Sequence, residues 1–169
     1  MWLQRCLFGV LLVGTIGENT VFAERGEVAA APAVSRVEVV LAYQYRTREA
    51  ELKQDFSQAG FANVHFQFAR MGQPPQNIGL GREVTAEKAR EAIRLALKYN
   101  LGVTILLPER LFPPRFITIA SSNYDDTVEY SISQEALEKL RDPELSTEAF
   151  HLLYRDLTSA HINSERRYR

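Results

Sequence analysis

Cysteine is all but missing from this chain of 169 residues: Cys6 stands alone. One thiol closes no disulfide within the chain, so the fold must be held by a packed core. Cys6 also lies in a segment expected to be removed, which leaves no thiolate for catalysis or metal ligation. Charge of one sign is lacking as well. With 20 basic against 21 acidic residues, no global field draws the chain to nucleic acid, and none is expected as a partner. Histidine is scarce. His65, His151 and His161 stand at no helical metal spacing and no HExxH occurs, so they read as surface histidines and no metal is expected.

A hydrophobic run long enough to span a bilayer is also absent. The apolar stretch from Cys6 to Ile16 is too short for that. It follows Arg5 and leads to Val21 and Ala23, small residues at the −3 and −1 positions of a secretory cleavage site. Residues 1–23 are therefore expected to be a signal peptide, with an uncleaved N-terminal anchor as the alternative. Cleavage leaves an exported chain, periplasmic or secreted, with no stable membrane span. Residues 24–36, Ala-rich and broken by Pro32, read as a flexible leader.

What is present is an ordinary globular composition, 46% hydrophobic and 24% charged, which argues against disorder. From Val37 the pattern turns β-branched with period two: Val37, Val39, Leu41 and Tyr43 share one face of a strand. Thr47 is the expected N-cap of a helix with Leu52, Phe56 and Ala59 inward and Gly60 at its end. "NVHFQFA" alternates Val64, Phe66 and Phe68 inward with His65 and Gln67 outward. After "GQPP", a short strand from Asn77 to Gly81 leads to Thr85, the expected cap of a helix reaching Tyr99. That helix carries an apolar stripe of Ala89, Ile93, Ala96 and Leu97. "VTILL" and "RFITIAS" read as two more strands.

Sliding the sequence by 39 residues aligns Val39 with Ile78, Phe56 with Leu95 and Phe66 with Ile105, which suggests two strand–helix–strand units. The expected fold is α+β: a ferredoxin-like split βαβ over residues 37–120, an antiparallel sheet with both helices on one face. Residues 121–160 form a helical extension. Ser133 caps its first helix, and Ser146 caps a second that presents Phe150, Leu153, Tyr154 and Leu157 on one face. Residues 161–169 are a basic tail.

Motifs that carry chemistry are few. Gly79 and Gly81 precede a helix, but Val84 stands where a dinucleotide loop needs its third glycine, and no Gly-Lys-Ser/Thr follows. Asp125, Asp126 and Glu129 lack the ligand alternation of a calcium loop. No elbow surrounds Ser121 or Ser122. The chain therefore reads as a non-enzymatic protein without a cofactor. Alternation places Gln44, His65, Gln67, Asn77, Thr104 and Thr118 on the sheet face away from the helices. Gly79, Gly81, Val40, Ala42, Leu106 and Phe116 join them there.

The stretches "VVLAYQYRTREAELKQDFSQAGFANVHF" and "NIGLGREVTAEKAREAIRLAL" resemble the SPOR domain of bacterial envelope proteins. The resemblance implies a split βαβ fold whose sheet face binds peptidoglycan glycan strands. The partner expected from it is a cell-wall glycan. The alternative is an envelope protein docked on the last helix through Phe150, Leu153 and Leu157. The sequence sets no oligomeric state.

Overall fold

A computed structural model describes residues 34–100, 102–121 and 131–165, with side chains through residue 158. Strand β1 (Arg36–Ala42) runs into a 3-10 segment (Tyr43–Arg48) and helix α1 (Glu49–Gln58), and β2 (Val64–Ala69) follows. Then come β3 (Asn77–Leu80), α2 (Ala86–Tyr99), β4 (Ile105–Leu107), a 3-10 turn (Glu109–Leu111) and β5 (Phe116–Ile119). Helices α3 (Gln134–Leu140) and α4 (Thr147–Glu165) complete the described chain. No described helix is long and apolar enough to cross a membrane.

The five strands form one sheet in the order β2-β1-β5-β3-β4. β1 pairs in parallel with β2 and β5, β3 pairs in parallel with β4, and β3 with β5 is the one antiparallel pair. This corrects the ferredoxin-like expectation: the domain is α/β with a mostly parallel sheet. A split unit leaves a gap between the two strands that a helix joins. Here α1 and α2 each return the chain to the neighbouring position, giving two ordinary parallel βαβ units. The strand expected as an addition, β5, lies at the centre and joins them.

Loop lengths explain the directions. Residues 70–76 are too few for a crossover helix, so β3 starts at the end where β2 stops and runs the opposite way. Their extended reach, about 23 Å, covers the roughly 14 Å of three strand spacings past β1 and β5. Residues 108–115 reverse the chain again between β4 and β5, and they must pass over β3 to do so.

Right-handed crossovers place both helices on one face, where Asp55 of α1 accepts hydrogen bonds from Lys98 and Tyr99 of α2. Val37, Val39, Leu41, Ile78, Leu80, Ile117 and Ile119 point into that layer and are buried. The two units are not in strict register, because Phe66 lies opposite Val39 but Leu106, not Ile105, lies opposite Ile78. The equivalence moves by one residue at β4. Leu106 therefore faces the helices, and Thr104 precedes the strand with its hydroxyl on Gln76 O at 3.2 Å. Both were expected on the other face.

Capping mostly follows the sequence. Thr85 accepts from Lys88 N, Ser133 from Ala136 N and Ser146 from Ala149 N. Gly60 ends α1 with φ +75°. Thr47 does not cap α1; it sits inside the 3-10 segment and donates to Gln44 O at 3.3 Å. That segment begins at Tyr43, so Tyr43 and Gln44 leave the sheet and both are exposed.

Helix α4 packs on its own domain. Phe150 and Tyr154 are fully buried with Leu137 and Leu140 of α3 in the same core, and Leu153 and Leu157 lie half-buried against it. Thr147 Oγ1 accepts from Ala86 N at 3.2 Å, joining the first turns of α4 and α2.

Candidate functional site

The sheet face away from α1 and α2 is divided. Over β3 the 108–115 loop lies against the strand, and the two glycines let it do so. A Cβ at Gly79 would collide with the Phe112 ring and stand 2.8 Å from Thr118 Cγ2. One at Gly81 would collide with Pro113 O and lie 2.5 Å from Pro114 O. Phe112 stacks on Phe116, with ring centroids 6.0 Å apart. The glycines therefore admit a backbone of this same chain, and no phosphate loop is built there.

The residues expected to line that face fall into different places. His65 and Gln67 are exposed on β2, and Gln44 is exposed in the 3-10 segment. Thr118 is buried between β1 and β3. Asn77 is fully buried. Its Oδ1 accepts from Ser121 N at 2.7 Å and its Nδ2 donates to Ser121 O at 3.2 Å. This clamp holds the chain just past β5, where Ala120 takes φ +60°, a left-handed conformation that carries strain for a residue with a Cβ. Asn77 is thus committed within the fold. Asp125, Asp126 and Glu129 lie outside the described residues, as does the His161 side chain.

A different site forms where β3 and β4 end side by side. Parallel strands bring their carboxyl ends to one edge, so the loops that follow them meet. Val84 comes from the first loop, Glu109 from the second, and His151 from α4. Nε2 of His151 lies 2.7 Å from Val84 O, and Nδ1 is hydrogen-bonded to Glu109 Oε1. A carbonyl only accepts, so Nε2 donates to Val84 O, while Nδ1 makes the other hydrogen bond, to the carboxylate. Both side chains are 8% exposed, so His151 is not the surface histidine expected. The helical period hid this, because it places residue 151 beside Phe150 without saying what α4 packs against.

One turn on, the Tyr154 hydroxyl donates to Leu107 O at 2.8 Å and reaches Ile78 O at 3.2 Å. Burial, and then the nearby Glu109 charge, push its phenol far above the ordinary tyrosine range. It stays a donor, bridging β4 and β3.

Above this floor opens a cleft of about 550 Å³, lined by Arg82, Arg110 and Arg155 together with Pro108, Phe112, Pro114, Glu109 and Thr158. Each arginine neighbours one member of the buried cluster. Arg82 is two residues before Val84, Arg110 follows Glu109, and Arg155 is one helical turn beyond His151. The cluster therefore pins together the three segments that carry the guanidiniums. None of the three guanidiniums has a hydrogen bond or ion pair among the described residues. Sequence reading missed this site because the residues come from three separate segments, and no spacing along the chain records their approach.

The fold and cleft together define an open α/β domain with a basic crevice at its strand ends. Comparison with protein-family models, curated proteins and solved structures finds no match for this chain.

Proposed function

We propose that this chain is an exported, non-enzymatic binding module whose ligand enters the cleft at the carboxyl ends of β3 and β4. The observation that carries this reading is the contrast between the cleft and the sheet face. The cleft is open, lined by three guanidiniums that have no partner among the described residues, beside a buried, hydrogen-bonded cluster. The face over β3 is filled by Phe112 and the prolines beside it. Open α/β sheets take ligands at this same edge. Both nitrogens of His151 are engaged within the fold, so the imidazole is not free to move a substrate proton, which favours binding over catalysis.

Hydrogen-exchange mass spectrometry tests the placement. The full-length chain is incubated with inorganic pyrophosphate, with a short neutral amino-sugar oligosaccharide, or with neither. Protection at residues 81–86 and 108–115 by either compound supports the cleft. Protection by neither, or only elsewhere, removes it.

A second reading keeps the cell-wall glycan as ligand, on the half of the face that the loop leaves open. His65 and Gln67 stand exposed on the edge strand β2, with Glu38 opposite His65 and half-buried Val40 opposite Gln67 on β1. That reading requires co-sedimentation with purified peptidoglycan, weakened by H65A and Q67A together. Sedimentation no greater than that of an albumin control ends it.

A further inference from the structure

We infer that the cleft binds a multiply charged oxyanion of the phosphate class, held by Arg82, Arg110 and Arg155. This rests on the reading that the cleft is the ligand site, and it adds the chemistry of the ligand.

The first argument is the disposition of the arginines. Elsewhere on the domain most described guanidiniums have a partner: Arg36 pairs with Glu38, Arg48 with Glu51, Arg94 with Glu91 and Arg141 with Glu138. Arg90 donates to the carbonyls of Asp142 and Leu145. Arg82, Arg110 and Arg155 have none among the described residues, and they converge on one cleft from three elements. Arg70 and Arg115 also have no partner among the described residues, but neither lines it. Three cations drawn to one concavity repel one another, and a bound anion offsets that repulsion.

The second argument is the position of the one carboxylate in the lining. Glu109 could have neutralised a neighbouring arginine, yet it is turned inward and bonded to His151. The cleft therefore keeps a positive balance that no side chain of its own lining removes.

The third argument is valence and shape. A guanidinium presents a planar fork that matches two oxygens of a phosphate or carboxylate. A single carboxylate satisfies one fork and leaves two cations unmatched, whereas a phosphate or diphosphate offers oxygens to several. Pro108, Phe112 and Pro114 provide an apolar wall for whatever group carries the anion.

The test is isothermal titration of inorganic pyrophosphate into the full-length chain at low ionic strength, with linear polyphosphate, acetate and the neutral oligosaccharide in parallel. Pyrophosphate should bind, acetate should bind at least tenfold more weakly, and added salt should weaken the complex. R82Q, R110Q and R155Q should each reduce affinity on the order of tenfold, the loss of one charge-assisted contact. R70Q and R115Q should leave it unchanged. All five side chains are exposed, so folding is not at issue. Polyphosphate binding much more tightly than pyrophosphate assigns the phosphate to a polymer, and equal affinity assigns it to a small molecule; both support the class.

Two results overturn the inference. One is no pyrophosphate binding while the oligosaccharide protects the cleft segments, which keeps the cleft and discards the anion. The other is equal weakening by R70Q or R115Q, which reduces the effect to diffuse surface charge.

Discussion

His151 on α4 and Glu109 after β4, 42 positions apart in the chain, form a buried pair whose imidazole also reaches Val84 O. One side chain thus joins the last helix to the loops that end two strands. Removing the imidazole in H151A leaves the Glu109 carboxylate buried without its partner. The expected loss is about 3 kcal/mol in urea unfolding. E109Q keeps a hydrogen-bonding group and should cost less, and replacing both residues with apolar ones should recover part of the loss. Equal losses for H151A and the double variant would show that packing, not pairing, is what matters there.

The glycines of β3 and its exit make a steric prediction. In G81A the new methyl meets backbone carbonyls of Pro113 and Pro114, which cannot rotate aside. In G79A it meets chiefly the Phe112 ring, which can swing out. G81A should therefore lose roughly 2 kcal/mol or more, and G79A less. Differential scanning calorimetry ranks the two, and the reverse order contradicts the loop placement.

Asp55 links α1 to α2 and should contribute to the acid limb of stability. Hydrogen bonds from Lys98 first and Tyr99 second hold its carboxyl below the usual aspartate range. A group whose folded pKa is lowered adds stability that is complete above its unfolded value, about 3.9. That contribution is lost as pH falls through the folded value. D55N should lower stability at neutral pH and flatten its fall below about pH 4. Parallel curves for the two proteins would show that Asp55 carries no such linkage.

Tyr154 offers a smaller, local test. Y154F preserves the fully buried ring but withdraws the donor that Leu107 O and Ile78 O accept. About 1–2 kcal/mol should be lost. Truncation after Asp142 removes Phe150 and His151 as well, and should abolish cooperative thermal unfolding. An unchanged transition would mean that α4 does not belong to the core.

Export is tested at the N-terminus. Mass spectrometry of the exported protein should find Glu24 as its first residue, and an intact Met1 would restore the anchor.

The sequence by itself determined most elements and most of their inward faces, since those depend on neighbours within a few residues; at β4 it set Leu106 on the wrong face. Period two placed Val37, Val39 and Leu41 inward on β1. Period 3.6 placed Ile93 and Ala96 on α2 and Phe150 and Tyr154 on α4. The hydroxyls of Thr85, Ser133 and Ser146 marked where helices begin. Only the tertiary structure decided which strands pair and in which direction. An alternating strand carries no record of its partner, and two strand–helix–strand units suit a split sheet as well as two closed βαβ units joined by a fifth strand. That pairing sent residues 108–115 across Gly79 and Gly81, buried Asn77 and Thr118, and drew Glu109 to His151. The arginine cleft followed from it, because the repulsion of three distant cations is met only once the backbone has brought them together.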